Sequence, residues 1–326
     1  MHHKHIEVYV CPNCKGGLDL REMSQTEHRA ISVKLYCPDC HSSYPIEEGI
    51  PNFIPDIEVG KKHTARSFGY KWDKFQLIDE FYKKNFLDEL PPIDYKSFFR
   101  GKTVLDAGTG IGIPSFCIAE NGAKEVCAID ISNSVRQAYE NNKCFDNVRV
   151  SKADICNLPF KPNSFDVVIC VAVLQHLPDP DDAFEKLLSC VKPGGTLILW
   201  VYAKEGNGVV YYCIEPFRKL VTRNLPLTIV LGMSYFFGLL FQLIIKLVYV
   251  PLDKLRWRIL PLHEYLVYRG NFNFKMNVQM IFDQLLAPVS YLFTRAEIKS
   301  LFDRNGVKNV RLRHHNSNSW TAIGEK

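Results

Sequence analysis

Residues 104–112 read VLDAGTGIG, a short apolar run that meets an acid and continues into three glycines at alternate positions. Glycine has no Cβ, so the backbone at Gly108, Gly110 and Gly112 can take positive φ and approach a ligand closely. We expect a helix to begin near Ile113, where its free N–H groups would favour a carboxylate or a phosphate. The run therefore predicts a buried strand, a ligand-binding turn and a helix in direct succession.

Strand-like and helix-like segments alternate through the residues that follow. Further strands are expected at residues 125–129, 148–153, 165–171 and 196–202. Helices are expected at 114–120, 132–142 and 181–191, with Ser132 as the N-cap of the second. This alternation predicts an α/β fold, a doubly wound and mostly parallel sheet with ligand loops at the carboxyl ends of its strands.

Acidic residues stand at the ends of the first three expected strands, Asp106, Asp130 and Asp154. Position 113 is isoleucine where the dinucleotide fingerprint GxGxxG needs glycine, so a nicotinamide cofactor is disfavoured. Asp106 would repel a pyrophosphate but could bind an amino group. Asp130 lies about where nucleotide-binding folds place an acid for ribose hydroxyls. Taken singly, each acid is better explained as an N-cap or a turn residue, but the three together at successive strand ends favour a ligand site.

The glycine run resembles motif I of the class I S-adenosylmethionine-dependent methyltransferases, and the resemblance extends over nearly the whole chain. A KPGG turn precedes the fifth strand, as is common in that family. The family also closes its sheet with a hairpin, here expected at 307–314 and 319–324 after a helix at 294–305. The implied fold is a Rossmann-like sheet of seven strands. The cofactor-binding residues that the resemblance implies are Asp106, Gly108, Thr109, Gly110 and Gly112 for the methionine end, Asp130 for the ribose with Ile131 beside it, and Asp154 and Ile155 for the adenine.

Four of the eleven cysteines form two CxxC pairs, Cys11 with Cys14 and Cys37 with Cys40. This spacing is typical of a zinc ribbon, in which two such pairs complete a tetrahedral site with no open position for water. The sequence therefore predicts a structural zinc ion. Two disulfides would require an oxidising compartment, and the scattered remaining cysteines favour a reducing cytoplasm instead.

The residues around these cysteines, KGGL after the first pair and YPIEEGIPNFIP after the second, resemble the Trm112-like zinc ribbon. That family includes small proteins that bind and support methyltransferases, so the resemblance implies that residues 1–57 are such a module fused in front of an enzyme. A linker, residues 58–100, follows and contains an aromatic FGYKW segment. Similar segments lie over the cofactor in chains that couple this ribbon to a methyltransferase, which makes Tyr70 and Trp72 candidates for a cover over the cofactor. A hydrophobic seam between ribbon and enzyme would use the same aromatic side chains.

The sequence after the fourth strand, CVAVLQHLPDP, bears on the acceptor. It lacks the Asn/Asp-Pro-Pro-aromatic tetrapeptide of enzymes that methylate DNA adenine or protein glutamine, and the chain has no Pro-Cys dipeptide of the kind used in pyrimidine carbon methylation. It resembles instead the broad family that methylates small molecules and lipids, including quinone precursors, in which a histidine follows this strand. His176 is the candidate general base, or it holds the loop by a hydrogen bond.

Residues 204–289 form a long insertion between two parts of the methyltransferase core, 101–203 and 290–326. Within the insertion, residues 224–245 carry no charge, and bases flank them on both sides. The length just meets that of a membrane span, but one span would place the two parts of the sheet on opposite sides of a bilayer. We expect a helical cap on the substrate pocket, with contact to a membrane interface as the alternative.

The net charge of +5 is mild, and lysine and arginine are spread along the chain, which gives no strong nucleic-acid signal. The sequence predicts a cytoplasmic S-adenosylmethionine-dependent methyltransferase with a structural zinc ion, acting on a small-molecule or lipid-like acceptor. Peripheral membrane contact would run through residues 224–245. Two alternatives stay open. One is a methyltransferase of tRNA or a translation factor, and the other is a non-catalytic assembly protein with a vestigial cofactor pocket.

Overall fold

The computed structural model describes residues 6–23, 32–55, 59–75 and 80–326. Its N-terminal part is an antiparallel sheet of four strands in chain order. These strands are β1 (Asp19–Met23), β2 (Ser32–Tyr36), β3 (Ser43–Glu47) and β4 (Ile50–Pro51). One CxxC pair precedes β1 and the other lies between β2 and β3, so the two pairs can meet at one end of this sheet.

The main sheet has seven strands in the order β10-β11-β9-β8-β5-β6-β7, parallel from β9 to β7, with β11 and β10 antiparallel at one side. Its strands are β5 (Thr103–Ala107), β6 (Glu125–Asp130), β7 (Val148–Lys152), β8 (Phe165–Val171), β9 (Val191–Tyr202), β10 (Lys308–His315) and β11 (Ser319–Glu325). This confirms the predicted α/β class and the Rossmann-like, mostly parallel sheet of seven strands.

Helices cover both faces of this sheet, which makes the fold doubly wound. They are α2 (Glu80–Glu89), α3 (Tyr95–Phe99), α4 (Ile113–Glu120), α5 (Val135–Asn142), α6 (Pro180–Cys190) and α12 (Arg295–Arg304), whereas α1 (Val59–Lys74) packs on the helices that follow β9. Ile118 of α4 belongs to the apolar cluster on one face. Phe184 of α6 and Phe302 of α12 belong to the cluster on the other face. The sheet is therefore buried on both sides, as its apolar central strands require.

Two local expectations have opposite outcomes. The helix after β6 begins at Val135, and its N-cap is Ser134 without a side-chain cap bond, so the assignment of Ser132 as N-cap is wrong. The hydroxyl of Ser132 donates to Asp130 instead, at 2.7 Å, because the strand end offers it a carboxylate. The expected capping box of α12 is confirmed, since Thr294 and Glu297 each accept from the other's backbone N–H.

The N-terminal sheet docks on the edge strand β7. Asn52 forms a parallel bridge with Lys152, and the backbone N–H of Phe53 donates to the carbonyl of Lys152 at 2.9 Å. The ring of Tyr9 packs between Phe53 and Phe160, with centroids 5.1 and 5.6 Å away. The ribbon therefore covers the exposed edge of the main sheet and shares an apolar core with it.

Five helices lie between β9 and α12. They are α7 (Glu215–Leu220), α8 (Leu227–Ile244), α9 (Val250–Lys254), α10 (His263–Arg269) and α11 (Phe274–Leu286), and one π-helical turn joins α8 to α9. Helix α8 packs along α11, and a Cβ on Gly238 would stand 2.6 Å from the side chain of Val278. In the described part of the chain, one helix, Leu227–Lys254, is long and apolar enough to cross a membrane, and 22% of its most apolar window is buried.

Candidate functional site

A cavity of about 1020 Å³ lies at the carboxyl ends of β5, β6 and β8. The glycine turn after β5 forms one wall, α1 and α2 contribute a second, and the helices of the insertion contribute a third. Such an edge is where open α/β sheets bind ligands. The volume is at the upper end of the roughly 300–1,000 Å³ of small-molecule sites, so it can hold a cofactor together with an acceptor.

Two glycines of the turn have different roles: Gly110 faces the cavity, and Gly112 allows two helices to pack closely. Gly110 has φ +57° and lines the cavity, and a Cβ there would stand 3.0 Å from the ring of Trp72. Gly112 has φ +89° but is not part of the wall, and its Cβ would meet the side-chain amide of Asn142 in α5 at 2.3 Å. Gly112 therefore lets α4 and α5 approach each other, whereas Gly108, Thr109 and Gly110 face the cavity.

Asp130 joins the glycine turn to the end of β6. One carboxylate oxygen accepts from the N–H of Gly110 at 3.0 Å. The other accepts from the N–H of Ser132 at 2.8 Å and from its hydroxyl at 2.7 Å. Burial raises the pKa of this carboxyl, and the hydrogen bonds oppose that shift. Asp130 and the adjacent Ile131 both line the cavity, and their contact with a ribose stays a prediction.

Asp106 lies behind the turn and does not line the cavity. Its side chain is 1% exposed, and burial raises the pKa of its carboxyl to about 7, against hydrogen bonding from Thr109 and Ser115. Its Oδ2 has no hydrogen-bond partner among the described residues. The amino group of a bound methionine could donate a hydrogen bond to this oxygen. That contact stays a prediction.

Asp154 and Ile155 also lie outside the cavity wall. The carboxylate of Asp154 accepts from the Nζ of Lys61 in α1 at 2.5 Å and from the N–H of Cys156 at 2.9 Å. Ile155 is 6% exposed and belongs to the apolar core. The structure therefore gives these two residues an ion pair and a packing contact, and their contact with adenine stays a prediction.

The two aromatic candidates of α1, Trp72 and Tyr70, have different surroundings. Trp72 lines the cavity beside Gly110. Tyr70 does not line it and packs on Phe282 of α11, with centroids 6.1 Å apart. Tyr70 thus belongs to a hydrophobic seam, but this seam joins α1 to the insertion and not to the ribbon.

His176 lines the cavity just after β8 and is 6% exposed. Its Nδ1 lies 2.8 Å from the carbonyl oxygen of Val289, which can only accept, so Nδ1 carries the proton and Nε2 is the acceptor. The ring lies between Phe68 and Tyr202, with centroids 5.0 and 5.8 Å away. Burial lowers its pKa to about 4. The imidazole is therefore neutral near pH 7 and a weak base.

Further polar groups at the cavity were missed in the sequence. Lys71 of α1 and Asp283 of α11 form an ion pair at 2.7 Å. Glu89 of α2 accepts from Asn85 at 3.0 Å, and burial raises the pKa of its carboxyl to about 7. Arg269 of α10 also contributes to the wall. These residues lie on separate helices without a shared motif, so no local signal could have identified them.

The four CxxC cysteines come together as the sequence predicts. Their sulfurs all lie within 4.8 Å of one another, with Cys11 and Cys40 at 3.5 Å and Cys14 and Cys37 at 3.4 Å. A zinc ion with Zn–S bonds of about 2.3 Å needs four sulfurs at roughly this separation. The cluster is consistent with a structural zinc ion, and four thiolates leave no ligand position for a catalytic water.

Comparison with known proteins identifies two domains. Residues 105–199 match the family model described as a methyltransferase domain, and residues 2–49 match that of the Trm112p-like proteins. The chain is 37% identical over 150 residues to a ubiquinone biosynthesis O-methyltransferase of Paraburkholderia phymatum, a match that covers 43% of this chain and 62% of that protein. It is 33% identical over 113 residues to phosphoethanolamine N-methyltransferase 2 of Caenorhabditis elegans, covering 34% and 26%.

A third relative is a tRNA U34 carboxymethyltransferase of Nautilia profundicola, 29% identical over 121 residues, with 36% of this chain and 40% of that protein covered. The chain thus spans less than two thirds of the length of each of these relatives. Their names refer to three different acceptors. The match of residues 105–199 supports an S-adenosylmethionine-dependent methyltransferase domain, while two of the three names describe transfer of a methyl group and the third of a carboxymethyl group.

Proposed function

Because the chain joins a Trm112-like zinc ribbon to an S-adenosylmethionine-dependent methyltransferase domain, we propose that it methylates an apolar small-molecule or lipid-like acceptor held in the cavity. The observation that carries this acceptor class is the wall contributed by the insertion. Its apolar lining residues include Ile214, Phe217, Phe237, Leu240, Phe241 and Ile244. A wall of this kind favours an acceptor that buries apolar surface.

The cofactor end of the cavity is assigned to Gly108, Gly110, Asp130 and Trp72. The close approach allowed at the glycines and the carboxylate at the wall fit S-adenosylmethionine, which needs backbone access for its methionine end and an acceptor for its ribose hydroxyls. When bound, this cofactor supplies a methyl group on a positively charged sulfur. The side chains of this protein then have two main tasks, to align the acceptor and to exclude water.

We assign Asp106, Asp154 and Ile155 to the same cofactor on the strength of the motif resemblance. Asp154 is bonded to Lys61 of α1, so an adenine contact would require α1 to release or share this carboxylate. Asp106 would act through its unpartnered Oδ2 from behind the turn. Both assignments predict that α1 and the glycine turn adjust when the cofactor binds.

For His176 we propose a role that follows from its hydrogen bond. The bond from Nδ1 to Val289 fixes the ring and joins the loop after β8 to the end of the insertion. The neutral ring leaves Nε2 as an acceptor, and a group with a pKa near 4 orients a hydroxyl better than it removes a proton. A full general base is needed only if the acceptor is a hydroxyl or a carbon acid.

We extend the proposal to a cytoplasmic location with peripheral membrane contact through residues 224–245. All eleven cysteines lie in the described part of the chain and none of them forms a disulfide there, which suits a reducing compartment. The uncharged character of this segment supports the membrane contact.

The experiment is incubation of the full chain and labelled S-adenosylmethionine with separate lipid, RNA and protein extracts. The proposal expects label in the lipid or small-molecule fraction. Label in RNA alone or in protein alone would contradict the proposed acceptor and favour a tRNA or translation-factor methyltransferase. An absence of label in every fraction, together with an absence of cofactor binding, would favour a non-catalytic assembly protein.

A further inference from the structure

The outer face of helix α8 is apolar. Ile229, Phe236, Leu239 and Leu243 recur at helical spacing and are 50%, 60%, 53% and 45% exposed, and Leu247 in the π-helical turn that follows is 71% exposed. None of them lines the cavity. A surface helix of a water-soluble domain normally turns charged or polar residues outward. An exposed stripe of this length indicates a surface that is covered in the working protein.

The charges around this face are mostly positive. Residues 216–252 contain four bases and no acid, and the two acids that bound this stretch, Glu215 and Asp253, are paired with Lys219 and Arg258. Arg223 is exposed before the start of α8, and Lys246 is exposed after its end. A second copy of the chain docked by the same face would bring like charges together. An anionic lipid surface offers the opposite charge at both ends of the face.

The surface continues beyond α8 into residues 255–259, which follow α9. Leu255, Trp257 and Ile259 are 64%, 61% and 81% exposed, and they alternate with Arg256 and Arg258. Tryptophan is enriched where apolar membrane meets water, and arginine can bury its stem while its charge stays at the headgroups. This segment therefore has the composition of an interfacial anchor.

The packing of α8 places it along a membrane surface and not across it. Its inner positions Val230, Ser234 and Gly238 are buried, and Gly238 lies against α11. Beyond the insertion the chain returns to the main sheet, where β11 pairs with β9 along its whole length. A helix that crossed a bilayer would lose these contacts with α11, whereas a helix that lies in the interface keeps them.

Helix α8 also lines the cavity, with side chains on the flank next to its exposed outer face. Phe237, Leu240, Phe241 and Ile244 of α8 line the cavity, and Leu240 and Ile244 are also among the exposed apolar residues. We propose that the outer face of α8 and residues 255–259 seat together on an anionic bilayer, and that the acceptor is an amphiphile which enters the cavity from the bilayer along this flank. Both parts rest on the proposed function: the entry route needs the proposed acceptor, and the seating gives the proposed membrane contact a defined surface and an anionic lipid, which can be measured without methyl transfer.

The seating is tested by sedimentation of the full chain with vesicles of phosphatidylcholine mixed with phosphatidylserine, and with phosphatidylcholine alone. We expect binding to the mixed vesicles and little to the neutral ones. Phe236→Ser combined with Leu239→Ser should abolish binding, and Arg256→Gln in the exposed loop should weaken it about fivefold. The matched control is Tyr139→Ser combined with Tyr291→Ser, two similarly exposed side chains outside this surface, which should bind like wild type.

Failure of the wild-type chain to bind mixed vesicles, or equal binding by the α8 double variant, would overturn the seating. Trp257 provides a second measurement, since brominated lipids quench the fluorescence of a tryptophan that enters the bilayer. Wild type should be quenched, and the quenched component should be absent from Trp257→Phe. Equal quenching of the two proteins would also contradict the proposed surface.

The entry route is tested with the lipid extract and labelled cofactor, presented either in vesicles or dispersed in detergent. The α8 double variant should lose transfer from vesicles and keep transfer from detergent, because only the first requires the membrane surface. Equal loss in both would overturn the route. If wild type labels neither preparation, the proposed function fails and the route fails with it, while sedimentation still decides the seating.

Discussion

The Nζ of Lys71 lies 2.7 Å from the carboxylate of Asp283, and this ion pair joins α1 to α11 at the cavity. The side chain of Lys71 is 7% exposed, and its Nζ also stands 3.8 Å from the centre of the Trp72 ring. Burial raises the pKa of Asp283, and the charge of Lys71 opposes that shift. One lysine thus connects the segment before the sheet, the insertion and the aromatic residue beside the glycine turn.

Lys71→Met should lower the free energy of unfolding by about 2 kcal/mol, because it removes the charged partner of Asp283, whose side chain is 21% exposed. Urea denaturation at neutral pH measures this. Lys74→Met is the matched control in the same helix, where the lysine pairs with Asp73 in solvent, and it should leave the stability nearly unchanged. Equal losses in the two variants would show that the ion pair does not hold α1 to α11.

Trp72→Ala should weaken binding of S-adenosylmethionine roughly three- to tenfold, because the ring beside Gly110 would no longer shield the ligand. Tyr70→Ala should lower the stability through its lost contact with Phe282 and leave the cofactor affinity within about twofold. Calorimetric titration of both variants separates the roles. A reversed ranking of the two affinities would mean that Tyr70 and not Trp72 covers the cofactor.

His176→Gln should be destabilising by an amount that depends on pH. The folded pKa of His176, about 4, lies below its ordinary value of 6.5, so the unfolded chain binds a proton that the folded chain does not. The stability from this group is therefore complete above pH 6.5 and is lost as pH falls toward 4, a change of about 3 kcal/mol. Glutamine can still donate to Val289 and does not titrate. The stability difference between wild type and variant should shrink from pH 7.5 to pH 5, and a constant difference would contradict a buried neutral imidazole.

Cys37→Ala should remove the zinc ion and destabilise the ribbon together with its contact on β7, because a tetrahedral site rarely survives the loss of one of four thiolates. Elemental analysis should find one zinc ion per chain in wild type and almost none in the variant. Cys144→Ala, an exposed cysteine outside the cluster, should retain the metal. Full zinc content in Cys37→Ala would exclude this four-cysteine site.

Periodicity and turn chemistry were enough to predict the sheet. Strand β8 has the bounds that its nearly all-apolar run predicts, and the Thr294–Glu297 capping box marks the start of α12, because both are local signals. Ser132 was misassigned because a nearby carboxylate competes for a capping hydroxyl, and the sequence does not show which contact wins. The sequence also does not show that Asp154 pairs with Lys61, because the two residues are 93 positions apart.

The pocket beyond the glycine turn could not be predicted in the same way. Lys71 and Asp283 are separated by 212 residues, and Glu89 and Arg269 lie on helices without motifs. Their convergence depends on how the insertion folds back over the sheet. Composition did show that residues 224–245 are apolar, but only the packing on α11 shows which face of α8 remains exposed.

The most direct measurement is calorimetric titration of the full chain with S-adenosylmethionine, with Asp130→Ala and the exposed-loop control Asp146→Ala beside wild type. Asp130 holds the turn through Gly110 and faces the cavity, so its removal should weaken binding severalfold or more. The account predicts one bound molecule per chain for wild type and for Asp146→Ala. An absence of binding to the wild-type chain would contradict it.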